Sequence, residues 1–201
     1  MKREKKAPIL TERQFRQAVA VARTHQHAAR NVALLHFSAA LGLRAKELSL
    51  LLVVDVLVPD GTIKDEVLLT RATTKGRKQR LVYLTNKEVR RALAAYLEER
   101  RRTEVIALHP LTPLFKSAKG GAFSPNTMQM LFKRMYRWAG LDQASSHSGR
   151  RTFATSLIEQ GVDIKAVSNL MGHASVSMTA RYVEDNPLRL SRICQDVPIG
   201  V

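Results

Sequence analysis

The stretch from His147 to Gly161 reads HSGRRTFATSLIEQG, and it sets the character of the C-terminal half of the chain. It predicts a helix from about Ser148 to Gln160, closed by Gly161. Asp163 is placed to cap a second, short helix that ends near Met171, where Gly172 stops it. His173 follows that stop, then a polar run from Ser175 to Thr179, read as a loosely held segment, and then Tyr182. Two imidazoles, an arginine and a phenol therefore sit on short elements close in sequence.

Working outward, the pattern upstream is also helical. Thr11 and Gln14 form a capping box ahead of a helix carrying Phe15, Val19 and Ala22 at helical spacing. A second helix spans about Ala28 to Leu41 and ends at Gly42, and a third runs from about Ala45 to Leu51. Asp60-Gly61 lies between runs rich in Val, Leu and Ile, as a hairpin turn would, and Val67–Thr70 and Arg80–Leu84 read as two further strands. This predicts a small antiparallel sheet of three strands with the basic loop Thr73 to Gln79 at its tip. Helices resume after Thr85, with Glu88 three residues later, and again after Ser124-Pro125, a strong helix start that runs to about Trp138. The expected class is α+β: one mostly helical domain with a small inserted sheet.

Composition narrows the partners. The 201 residues, 45% of them apolar, suffice for a real core. Lys and Arg total 33 against 17 acidic residues, a net charge of +16. Clustered cations gain affinity by releasing counterions condensed on phosphates, so nucleic acid is the leading partner and an anionic membrane surface the second. With no long apolar run and a basic start lacking a signal-peptide core, a soluble cytoplasmic protein is expected. Cys194 stands alone, so neither an intrachain disulfide nor a Cys-based zinc set is available. His25 and His27 do not share a helix face and no metal-binding motif accompanies them. Gly-rich phosphate loops are absent too, so chemistry without metal or nucleotide cofactor is expected.

Attack on a phosphodiester builds negative charge on the non-bridging oxygens, and fixed guanidinium and imidazole donors stabilise it. Arg44, at a helix entry, can join Arg150 and His173 for that task, with His147 one turn before Arg150. Glu47 either makes a local helix pair with Arg44 or orients its guanidinium. Lys75, on a hairpin tip beside Gly76, is a candidate general acid. Arg77, Lys78 and Arg80 read instead as a solvated cationic loop that holds DNA phosphates.

With these residues assembled, the chain resembles the tyrosine recombinase or phage integrase family over about Thr11 to Asn186. The resemblance rests on Gly42-Leu43-Arg44-Ala45-Lys46-Glu47-Leu48, on Lys75 in a hairpin, and on His147 and Arg150 continuing into Arg151-Thr152-Phe153-Ala154-Thr155. Met171-Gly172-His173 and Tyr182 complete it. It implies the catalytic-domain fold of that family and a reaction that joins Tyr182 to the 3′ phosphate of DNA. In it Lys75 protonates the leaving 5′ oxygen and His147 assists as base. Arg44, Arg150 and His173 stabilise the transition state, and Arg151 joins the DNA contacts. The implied partners are double-stranded DNA at specific sites, further copies of the chain in a tetramer on paired sites, and accessory DNA-bending proteins. A catalytically idle DNA-binding regulator and a type IB topoisomerase are the alternatives.

Two departures from the family stand out. Gly149 occupies a position that is usually Leu, a change expected to alter how its helix is seated. Members usually carry a separate DNA-binding domain ahead of the catalytic one, whereas here residues 1–10 read as a basic tail before a catalytic domain over 11–186. That layout is similar to short recombinases of the fimbrial phase-variation type, or to a fragment of a larger integrase. Residues 187–201 are expected to form a C-terminal helix or tail, which the resemblance suggests is exchanged between subunits.

Overall fold

A computed structural model describes residues 7–70, 79–104, 108–180 and 182. The element order is α1 (Glu12–Ala22), α2 (Ala28–Leu41), α3 (Ala45–Leu50), α4 (Val53–Val56), β1 (Glu66–Leu69), β2 (Arg80–Tyr83), α5 (Lys87–Thr103), α6 (Pro125–Trp138), α7 (Ser146–Glu159), α8 (Ile164–Met171) and α9 (Val176–Ala180). The mostly helical class with a small antiparallel sheet is thus observed.

The middle of the molecule is α2. Its sequence is apolar nearly all round, the pattern of a helix enclosed by others, and Val32, Ala33, Leu34, Leu35 and Phe37 are all buried. It packs against α1, α5 and α7, while α3 lies on α6 and β2 on α8. Phe37 and Phe115 meet edge to face at 5.3 Å, extending the core to the loop after α5. A smaller apolar cluster of Ala154, Ile158, Val167 and Met171 joins α7 to α8, with Tyr182 packed at its edge.

The helix starts follow their local chemistry. Thr11 accepts from Gln14 N at 3.2 Å while Gln14 Oε1 accepts from Thr11 N at 2.9 Å, the capping box expected. Ser124 caps α6 with Pro125 in the first turn, and Asp163 accepts from the amides of Lys165 and Ala166. The start of α5 falls one residue later than expected. Asn86 is its cap, because its short amide oxygen reaches two amides, those of Glu88 and Val89.

Three further expectations change. Among the described residues the sheet has two strands, pairing Glu66↔Tyr83 through Leu69↔Arg80, and not three. The run before Asp60-Gly61 winds into α4, because Asp55 Oδ2 takes the Leu52 amide at 2.8 Å and starts a helical turn. Only the bridge Leu57↔Ile63 remains of the expected hairpin. The polar segment before Tyr182 is not loose: it forms α9, and Thr179 is fully buried. Residues 7–10 are likewise no free tail, since Leu10 is buried and its amide donates to Thr152 Oγ1 at 2.9 Å. The expected C-terminal helix and the tip of the basic loop, including Lys75, Arg77 and Lys78, lie outside the described residues.

Candidate active site

Two glycines allow the site to assemble. Gly42 ends α2 and Gly172 ends α8, each in the left-handed region with φ of 63° and 59°. Side chains are disfavoured there, and space is lacking as well. A Cβ on Gly42 would lie 2.5 Å from Phe153 Cδ1, and one on Gly172 would come within 3.0 Å of Arg80 Nε. Both helices therefore stop abruptly, leaving their last carbonyls in need of donors.

Arginines from three other segments supply those donors. Arg150, on α7, donates through Nη1 to Gly42 O and through Nη2 to Met171 O, tying the ends of α2 and α8 together. Arg80, at the start of β2, donates through Nη1 to Leu170 O. Arg44, which begins α3, reaches Gly172 O through Nη2 at 3.5 Å. The carbonyls of Leu170, Met171 and Gly172 thus each take one guanidinium, at the negative end of the α8 dipole.

Glu47 lies at the centre of this cluster and is fully buried. It accepts from the Arg44 amide at 2.7 Å, from Arg44 Nη1 at 2.9 Å and from Arg80 Nη2 at 2.8 Å. Burial by itself would push its carboxyl up, but Arg80, the Arg44 amide, Arg150 and Arg44 together hold it below the usual range. Glu47 is therefore an anion at neutral pH. It makes the i,i+3 pair with Arg44 that the sequence allows, and it accepts from the Arg44 amide and from Arg80 as well.

Three guanidiniums around one carboxylate leave a surplus of two positive charges. Burial, then repulsion from Arg44 and Arg80, pulls Arg150 down to about 9, so it stays charged at neutral pH. Arg44 is the open member, its side chain 19% exposed against 5% for Arg80. A partly buried cationic surplus is costly until an anion arrives to offset it, and the bidentate geometry of guanidinium suits a phosphate.

His173 sits just past Gly172, buried, with Nδ1 2.8 Å from Thr179 Oγ1. Burial first, then Arg150, Arg44 and Arg80, drives it down to about 4. The ring is neutral at pH 7. Nδ1 and the Thr179 hydroxyl share one hydrogen bond, which either can donate according to the ring tautomer, and the neutral ring lies in the field of Arg150, Arg44 and Arg80. Tyr182 follows α9 in a turn, its amide donating to Thr179 O at 2.9 Å, and its ring is stacked on that of His173. His147 is exposed on the first turn of α7, its amide bonded to Ser145 Oγ at 3.3 Å, one turn before Arg150.

Of the candidates from sequence, the fold gathers Arg44, Glu47, Arg150, His173 and Tyr182, with His147 on the helix that carries Arg150. Two of the expected DNA contacts are corrected. Arg80 is not on a solvated loop: it is 7% exposed and engaged with Glu47 and Leu170. Strand alternation was the available signal, since a period of two places Arg80 on the inward face with Val82. Arg151 is also turned inward, donating to Ala7 O and lying over the Tyr182 ring at 6.0 Å. Thr179 was read only as the end of a polar run, and nothing in the sequence marks it as the partner of His173.

Gly149 explains its own departure from the common pattern. A Cβ there would overlap Ser38 Oγ and lie 3.1 Å from the Ser38 carbonyl carbon, so α7 is seated directly on α2 at this point.

Comparison with known proteins agrees with this arrangement. A family model described as the phage integrase family matches residues 8–189. Tyrosine recombinase XerC of Bifidobacterium longum (strain DJO10A) is 31% identical over 167 residues, covering 80% of this chain and 45% of that protein. The crystal structure of XerA recombinase superposes with a TM-score of 0.75 at 26% identity, over 99% of this chain and 67% of that one. XerH site-specific recombinase, bound to its difH substrate in a pre-cleavage complex, gives a TM-score of 0.70 at 25% identity, over 98% of this chain and 56% of that one.

Proposed function

Since the chain belongs to the phage integrase family, we propose that it carries the catalytic centre of a tyrosine-type site-specific DNA recombinase. The observation that carries this reading is the stacking of Tyr182 on His173, beside the cationic cluster of Arg44, Arg80 and Arg150. Phenol, neutral imidazole and guanidinium come from separate segments and meet in one place.

The chemistry follows from these groups. The scissile phosphate docks against Arg44, the open guanidinium, with Arg150 behind it and His173 Nε2–H as a further donor to a non-bridging oxygen. Tyr182 Oη attacks phosphorus, losing its proton to His147, and the bond to the 5′ oxygen breaks as Lys75 delivers a proton to it. The result is a 3′-phosphotyrosyl bond and a free 5′ hydroxyl. A 5′ hydroxyl from a partner strand reverses the step and releases Tyr182. One phosphodiester is exchanged for another at each stage, so bond energy is conserved without an external energy source.

The chain spans 45% of the XerC relative and 56% of XerH, so the partners of the whole protein belong to the proposal too. They are double-stranded DNA carrying a specific site and further copies of the chain, assembled as a tetramer on two sites. No helix among the described residues is long and apolar enough to cross a membrane.

A nicked duplex carrying the native site traps the covalent intermediate, because the short 5′ fragment diffuses away after cleavage. Wild-type protein is expected to form a denaturation-resistant adduct and Tyr182→Phe none. An adduct that survives Tyr182→Phe would overturn the assignment.

A further inference from the structure

Arg80 is the arginine of the cluster that no part of this mechanism uses. Its guanidinium is divided between two duties: Nη2 donates to Glu47 Oε2 and Nη1 to the Leu170 carbonyl. Nε is buried with no partner among the described residues. The aliphatic part lies against Gly172, where a Cβ would overlap Arg80 Cδ. One side chain therefore touches the carboxylate that holds Arg44 and the helix end that leads to His173.

We propose that Arg80 is a positioning residue: it balances the buried Glu47 carboxylate, so that Glu47 orients Arg44 without cancelling its charge on the phosphate, and it fixes the turn presenting His173. This rests on the recombinase reading above. The charge argument is direct. Without Arg80, the only guanidinium still hydrogen-bonded to Glu47 among the described residues is that of Arg44, at 2.9 Å, and the surplus around the carboxylate falls from two charges to one, with Arg44 bearing the pairing that it now shares. With Arg80 in place, the carboxylate is shared and Arg44 keeps an effective positive charge toward solvent. Lysine cannot substitute fully, since one ammonium does not span the carboxylate and the carbonyl in a fixed planar fork.

The test compares Arg80→Met, Arg80→Lys, Glu47→Gln and the double variant Glu47→Gln/Arg80→Met. The first readout is the single-turnover rate of adduct formation, measured together with DNA affinity. The second is the binding of inorganic phosphate to the protein alone, followed through the His173 ring signals by NMR. Arg80→Met is expected to slow adduct formation by about tenfold to hundredfold with DNA affinity little changed, and to weaken phosphate binding by about tenfold. Glu47→Gln/Arg80→Met is expected to bind phosphate more tightly than Arg80→Met and to recover part of the rate, because the uncompensated carboxylate is gone. Arg80→Lys should keep phosphate binding while losing rate, the split expected when charge survives and alignment does not.

A merely structural role predicts the opposite order, with the double variant no better than Arg80→Met in either readout. That result, or wild-type rate and phosphate affinity in Arg80→Met, would overturn the proposal. Should Arg80→Met fail to fold, Arg80→Lys and the double variant, in which both buried charges are removed together, carry the comparison. If wild-type protein makes no adduct on any DNA, the recombinase reading falls, while the phosphate titration still decides the role of Arg80.

Discussion

The rings of His173 and Tyr182 lie parallel, 8° between planes and 5.7 Å between centroids. The imidazole is held from its other edge by Thr179, on the short helix that leads to the tyrosine. Helix α9 thus positions both partners of the stack, so the phenol and the donor beside it are set by one local element.

Thr179→Val tests that arrangement. Valine keeps the shape and removes the hydroxyl, leaving the buried Nδ1 without its partner. A loss of about 1 kcal/mol of stability is expected, together with a fall in adduct formation larger than any fall in DNA affinity. Denaturant unfolding and single-turnover cleavage check the two halves of this statement.

Acid should weaken the fold through His173. Its folded value near 4 lies below the ordinary histidine value of 6.5, so between these the unfolded chain binds the extra proton. Stability is therefore expected to fall as pH drops from about 6.5 toward about 4 and to be insensitive to this group above that window. His27 and His36 are also lowered, chiefly by burial, and contribute in the same direction. Comparison of wild type with His173→Gln isolates the effect: the variant should show a shallower loss of stability over the same pH range.

The seat of α7 on α2 predicts a size limit at Gly149. Gly149→Leu, the residue common at this place in the family, must push the helices apart at Ser38, and a destabilisation of about 1–3 kcal/mol is expected. Gly149→Ala is milder, because better helix propensity offsets part of the overlap. Adding Ser38→Ala removes the overlapping hydroxyl and should recover stability in the alanine variant but not in the leucine variant. Thermal unfolding of the set checks this order.

Arg150→Lys removes one of the two bonds that join the ends of α2 and α8. The charge survives and the fork does not. Adduct formation is expected to drop by about a hundredfold or more, while DNA affinity changes far less, as measured by single-turnover cleavage and equilibrium binding.

Much of this was legible in the residues. Thr11 with Gln14, Ser124 with Pro125, and the glycines at 42 and 172 specify helix ends through local chemistry, and those ends fall where the sequence places them. The motif residues Arg44, Arg150, His173 and Tyr182 were identifiable because their order and flanks are unusual together. Other features depended on tertiary context. The run before Asp60 has strand-like composition, yet the Asp55 carboxylate captures the Leu52 amide and starts a helix. Arg80 and Arg151 look like surface cations until the buried carboxylate of Glu47 and the carbonyls of Leu170 and Ala7 are seen to receive them. A carbonyl oxygen has no signature in sequence, so arginines that bind backbone are easily mistaken for arginines that bind DNA.

The three consecutive carbonyls that end α8 act as a common datum for the chemistry. Arg44, Arg80 and Arg150 are all bonded to one turn, and His173 is its next residue. A displacement of α8 therefore acts on the three guanidiniums and the imidazole at once, since each cation is bonded to a carbonyl of that turn. A common anchor couples the positions of the three cations to one another, so the spacing between them depends on one helix end as well as on the three elements that carry them.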